Sequence, residues 1–192
     1  MEWVCLLLAA YIIGSIPVGL ILGKLIWKKD LRRFGSRNIG ATNAWRVLGQ
    51  KAGVLVFILD FLKGQLGVLL GSCIIGTPGA MVLGGFFAII GHTASIFAGF
   101  RGGKGVATGL GVLSILMPKV MLIVFVVWLI LTLLTRYVSI ASIVAALLTP
   151  ILAACFKMPG PYFAFALAAA VLIVWRHREN LQRLREGREN KF

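Results

Sequence analysis

Apolar residues fall along this chain in long unbroken runs, and the polar positions gather between them. The runs cover about residues 3–25, 52–75, 79–99, 106–117, 120–135, 138–156 and 161–175. Stretches of this length and composition are read as bilayer-spanning helices, because a helix satisfies its own backbone polar groups where no water can. The pattern therefore predicts an all-α integral membrane protein with about seven transmembrane helices, a single multi-pass domain over residues 1–192. The fourth and fifth runs are each short. Joined, they would need roughly 46 Å of helix against a hydrocarbon core of about 30 Å, so Pro118-Lys119 is read as a tight turn between two short spans. The first run has no preceding Lys or Arg and is too long for a signal-peptide core, which predicts a retained first helix.

Composition agrees with the pattern: of 192 residues, 59% are hydrophobic, which excludes a soluble single-core domain. Charge then orients the chain. With the N-terminus outside and the C-terminus cytoplasmic, seventeen of the twenty Lys and Arg residues lie on inner segments, Lys119 and Lys157 lie outside, and Lys63 lies within a span. That asymmetry is the positive-inside rule, and it explains the net charge of +14 without a nucleic-acid partner. Three polar segments then face the cytoplasm: residues 28–51, residues 100–108 and the basic tail 176–192. The outer connections are short and chemically plain. Cys5, Cys73 and Cys155 lie far apart in apolar runs without C-x-x-C spacing, and are expected to be buried thiols with no metal or redox role. No internal repeat or matched pair of broken helices points to an inverted-repeat transporter.

The candidate chemistry sits on the inner side. "GSRNIGATN", Gly35 to Asn43, combines Gly35 and Gly40 with Ser36, Asn38, Thr42 and Asn43, flanked by Arg37 and Arg46. Glycines let backbone N–H groups approach a ligand, and hydroxyls and amides add short-range donors, so the loop fits an anion. "RGGKGVATGLG", Arg101 to Gly111, opens an apolar helix with Gly102, Gly103, Lys104, Gly105 and Thr108, directing helical N–H groups and an ammonium to one place. It is not a Walker A loop, being one residue short, with Gly105 where Ser or Thr would hold magnesium. Asp60 and Lys63 lie three apart on one face of the second span, and His92 lies inside the third; all three are read as supporting interior groups. His177 and Asn180 sit where the last span leaves the membrane.

Absent residue types narrow the chemistry. There are six acidic residues, Glu2, Asp30, Asp60, Glu179, Glu186 and Glu189, without a cluster, so no metal site or cofactor is expected. No G-x-S-x-G elbow is present. Phe97 and Gln182, five residues beyond His92 and His177, rule out an H-x-x-x-x-D arrangement. On residues alone, a phosphate-binding enzyme, a small anion channel or transporter with a basic cytoplasmic vestibule, and a lipid-binding scaffold all remain open. The outer halves of the helices carry no matching polar ring for a transport path.

Taken in order, "GSRNIGATNAWR", "DFLKG", "GHTASIFAGFRGGKGVAT" and "WRHRENLQRLREGRE" resemble the bacterial acyl-phosphate:glycerol-3-phosphate acyltransferase family over nearly the whole chain. The resemblance implies transfer of a fatty acyl group from acyl phosphate to glycerol 3-phosphate at the cytoplasmic face of the bacterial inner membrane, giving lysophosphatidic acid without a covalent acyl-enzyme. It implies Ser36, Arg46, Lys104, His177 and Asn180 as catalytic residues. Gly35, Arg37, Asn38, Gly40, Thr42, Asn43, Gly102, Gly103, Gly105 and Thr108 are implied as substrate and phosphate contacts, and Glu189 as a structural partner for an arginine. Membrane lipids are the remaining expected partner. No pattern fixes an oligomeric state, and a monomer is compatible with the sequence.

Overall fold

The computed structural model describes residues 1–192, all of them helix, turn or loop. Two compact units divide the chain, Met1–Val112 and Leu113–Phe192.

In the first unit, α1 (Glu2–Ser15) and α2 (Val18–Leu25) form the first apolar run. The run breaks at Ile16-Pro17 because proline has no N–H and its ring excludes a continuous helix. Helix α1 packs against both α4 (Gln50–Ile74) and α5 (Pro78–Thr93), which also pack on each other. Small residues permit that closeness: a methyl placed on Gly67 would lie 2.6 Å from the Gly84 carbonyl, and one on Gly84 would lie 2.2 Å from the Gly67 carbonyl. Thr77 caps α5 by accepting from Ala80 N, with Pro78 in the first turn. The short α3 (Ala41–Leu48) lies against α4. Two 3-10 turns, Leu31–Arg33 and Ile96–Ala98, shape the connections on either side. Helix α6 (Val106–Leu116) begins in this unit and ends in the next.

In the second unit, α8 (Val138–Cys155) packs on α7 (Pro118–Thr135) and on α9 (Gly160–Arg176), and α10 (Arg178–Arg185) leaves α9 at a bend of 51°. Only Met117 separates α6 from α7, so the expected break stands where Pro118 starts the next helix.

Five helical stretches are long and apolar enough to cross a membrane: Glu2–Leu25, Gln50–Ile74, Pro78–Ala98, Pro118–Thr135 and Val138–Cys155. A sixth is counted if the bent pair α9 and α10 forms one span, whereas α6 is apolar but has only 11 residues. The cysteines depart from expectation: Cys5, Cys73 and Cys155 are free but exposed. On a membrane helix the outward face meets lipid, so a small apolar thiol is as well placed there as in the core.

Candidate active site

The loop after α2 is held by one amide. Asn43 is 2% exposed; its Nδ2 donates to the carbonyls of Leu31 (3.2 Å), Phe34 (3.1 Å) and Asn38 (2.8 Å), and its Oδ1 accepts from Ser36 N at 2.9 Å. This corrects the expectation that Asn43 binds a ligand directly: its hydrogen-bonding capacity is used inside the loop. Gly35 lies in the left-handed region, φ +59°, and a methyl there would strike Asn43 Oδ1 at 2.3 Å, so this glycine serves the same knot. Asn38 Oδ1 accepts from Gly40 N at 2.9 Å, an Asx turn leading into α3. No protein acceptor takes the N–H groups of Ala41 and Thr42 in the first turn of α3, and the hydroxyls of Ser36 and Thr42 bond to no protein group. Arg46 lies four residues after Thr42, hence on the same side of α3, and is half-buried. Arg37 is exposed with φ +57°.

Asp30 is the one carboxylate of this segment. It binds Arg32 at 2.8 Å and lies 3.5 Å from Lys24, and the hydrogen bonds from Arg32 hold its carboxyl well below the usual range. The loop proper therefore keeps its donors without a competing acid.

Ile39 packs with Leu20 and Ala98, which sets the first loop beside the segment that follows α5. There the turn differs from expectation. Gly102 N donates to Thr93 O at 3.1 Å and Gly103 N to His92 O at 3.0 Å, so these two N–H groups close the end of α5 and do not face a ligand. Lys104 is half-buried, and Gly105, φ +86°, starts α6 with its carbonyl accepting from Gly109 N at 2.7 Å. Thr108 is fully buried with its carbonyl against Gly64, a packing position rather than a loop surface. Asp60, Lys63 and His92 are buried together, with Lys63 Nζ 2.8 Å from Asp60 Oδ1 and His92 Nδ1 3.5 Å from the same oxygen.

In the second unit, His177 is 2% exposed and its Nδ1 lies 2.8 Å from Ile173 O. Only a protonated Nδ1 can donate to a carbonyl, so the neutral ring presents Nε2 as an acceptor. Asn180 Nδ2 donates to Glu189 Oε1 at 2.6 Å, Ser139 Oγ donates to the same oxygen at 3.0 Å, and Arg183 Nε donates to Oε2 at 2.8 Å. Glu189 thus accepts from an arginine, an amide and a hydroxyl. Nothing in the sequence signals Ser139, which lies fifty residues away on α8. Burial raises the Glu189 carboxyl, but the donors from Asn180, Arg183 and Ser139 outweigh it and hold it below the ordinary glutamate range. A depressed carboxylate contributes stability that is present above its unfolded value and lost as pH falls through the lower folded one. Glu189→Gln should lower unfolding free energy at pH 7 by about 1–3 kcal/mol. Thermal unfolding should show the gap to wild type narrowing once pH drops below about 4.

Three comparisons bear on this arrangement. The profile of the family described as glycerol-3-phosphate acyltransferase matches residues 4–187. A glycerol-3-phosphate acyltransferase of Carboxydothermus hydrogenoformans is 46% identical over 185 residues, covering 96% of this chain and 94% of that protein. One of Fusobacterium nucleatum is 43% identical, covering 100% and 99%. The crystal structure of PlsY, an integral membrane glycerol 3-phosphate acyltransferase, in its glycerol 3-phosphate form superposes with a TM-score of 0.94 at 43% identity, covering 100% of this chain and 96% of that one. Its lysophosphatidic acid form gives a TM-score of 0.92 at 42% identity, with the same coverage.

Proposed function

Because the chain belongs to the glycerol-3-phosphate acyltransferase family, we propose that it moves a fatty acyl group from an acyl phosphate to the 1-hydroxyl of sn-glycerol 3-phosphate. The observation that carries the reading is the first loop: an open N-terminus on α3, the unpartnered hydroxyls of Ser36 and Thr42, and the cation Arg46, with the only nearby acid already paired. A phosphate dianion is what such a set binds.

In the proposed step the hydroxyl oxygen attacks the acyl carbonyl carbon. The new ester C–O bond forms, the acyl–phosphate C–O bond breaks, and inorganic phosphate leaves with its electron pair. Arg46, Lys104, Ser36, Thr42 and Asn38 stabilise phosphate and the developing oxyanion. The roles of Arg37, Gly40 and Gly105 are to shape the loops around them. His177, through Nε2, and Asn180, whose amide Glu189 orients, direct the glycerol hydroxyl. The hydroxyl proton passes to a phosphate oxygen of the substrate, so no side chain is an obligatory base and no covalent acyl-enzyme forms.

Seventeen basic residues on inner segments support seven spans, with α6 as a short one, the N-terminus outside and the C-terminus cytoplasmic. The site then faces the cytoplasm from the bacterial inner membrane. Donor-resolved assays in lipid, without added metal, test the reaction. Lysophosphatidic acid should form from acyl phosphate and not from acyl-CoA. Product from acyl-CoA would overturn the donor assignment, and product from neither would overturn the enzyme reading in favour of anion transport.

A further inference from the structure

Three buried ionisable side chains stand outside the proposed chemistry, and their bonds lead to the turn that carries Lys104. Lys63 Nζ pairs with Asp60, 2.8 Å from Oδ1, and donates to the carbonyls of Gly14 at 3.0 Å and Ile16 at 2.8 Å. The two carbonyls take two of the ammonium's three donors, and the carboxylate balances its charge. The break at Pro17 accounts for the first carbonyl. In an unbroken helix Val18 N would take Gly14 O, but it donates to Ile16 O at 3.0 Å instead, leaving Gly14 O for Lys63. His92 Nδ1 closes the cluster, 3.5 Å from Asp60 Oδ1 and 3.4 Å from Lys63 Nζ. Tyr11 Oη donates to Ala94 O at 2.8 Å, and Ser95 Oγ donates to Ser15 O, so the broken span is also tied to the end of α5.

The other edge of the imidazole faces the glycine turn. A methyl on Gly103 would lie 2.1 Å from His92 Nε2, so the Gly103 backbone rests on this ring as well as on the His92 carbonyl. A second support comes from the same stretch of α4. A methyl on Gly64 would meet Thr108 O at 2.0 Å, and one on Gly111 would meet Phe61 O at 1.9 Å, so Phe61 and Gly64 seat the first turns of α6. Lys104 stands between the supports, one residue after Gly103 and two before Val106.

We infer that the Asp60–Lys63–His92 cluster is a positioning device that fixes the Gly102–Lys104 backbone, and through it the Lys104 ammonium, without touching substrate itself. The inference rests on the reading of Lys104 as a phosphate-binding cation. A merely structural ion pair would stabilise the α1, α4 and α5 packing as a whole; a positioning device acts on the turn in particular.

Hydrogen exchange of the full-length protein in lipid, without substrate, tests this independently of activity. Lys63→Met alone would leave the Asp60 carboxylate buried and unpaired, so the main variant is Asp60→Leu with Lys63→Met, which removes both charges. His92→Phe is the second variant; it keeps a ring under Gly103 and cuts its tie to Asp60 and Lys63. Exchange at the Gly102 and Gly103 amides should rise at least about tenfold in both, with exchange within α3 unchanged and, in His92→Phe, an unchanged midpoint of thermal unfolding. Acyl transfer, measured alongside, should fall by about 10²-fold with a raised KM for glycerol 3-phosphate. If the double variant does not fold, His92→Phe decides. Unchanged exchange at Gly102 and Gly103 overturns the inference, whatever happens to activity. Faster exchange there in a protein whose wild type makes no lysophosphatidic acid upholds the positioning and sinks the enzyme reading instead.

Discussion

Lys104→Met should leave a folded protein whose acyl transfer is reduced by about 10²–10³-fold, the loss expected when one preorganised donor to a developing oxyanion is removed. Methionine keeps the length and apolar character of the lysine stem, so the surrounding packing survives and only the charge disappears. Lys104 is half-buried at the mouth of α6, where a positive charge is screened less than in bulk water and acts together with the helix N-terminus. Ser36→Ala should behave alike for a different reason. The Ser36 main chain is fixed by Asn43 Oδ1 at 2.9 Å, while its hydroxyl bonds to no protein group. Its removal therefore takes away a ligand contact without loosening the loop. Turnover and KM for glycerol 3-phosphate, measured in lipid with acyl phosphate as donor, check both variants. Near-wild-type rates in either would remove that residue from the chemistry.

Much of this architecture was readable because a bilayer allows few solutions. Where no water can satisfy the backbone, apolar runs become helices, and each of the seven runs is helical, with the break at Met117, just ahead of the turn expected at Pro118-Lys119. The break at Pro17 was not anticipated, since the run around it is uniformly apolar and hydropathy does not register a missing N–H. The position of the cysteines failed for a related reason: apolar means buried in water but not in lipid. At the site, residue types marked out two glycine-bearing loops, but not the direction of each bond. Gly102 and Gly103 look like open N–H donors until the end of α5 is seen to use them. Asn43 looks like one more donor among Ser36, Asn38 and Thr42. Nothing in spacing distinguishes an amide that turns inward from one that turns out, because the choice depends on where the turns between Leu31 and Asn38 bring three carbonyls together.

That inward turn makes Asn43 the second position where a large effect is expected. Its amide has two hydrogens for three carbonyls, those of Leu31, Phe34 and Asn38, and one oxygen for Ser36 N. Asn43→Leu leaves Asn38 O and Ser36 N without partners at about 1–3 kcal/mol each and leaves Leu31 O and Phe34 O only the turn bonds from Phe34 N and Arg37 N, enough to unravel the loop locally while α4 and α5 remain packed. Activity should fall by about 10²-fold through misplacement of Ser36 and Thr42. Asn43→Asp separates this role from direct binding. The aspartate keeps the shape and the acceptor for Ser36 N but sets a second oxygen against three carbonyls, so it should be as damaging as leucine. Hydrogen exchange of residues 31–43 without substrate is the deciding measurement. An internal knot predicts faster exchange in both variants before any ligand is added. A direct ligand contact predicts an unaltered loop in the free protein and a difference only once glycerol 3-phosphate is present, and that result would return Asn43 to the binding surface.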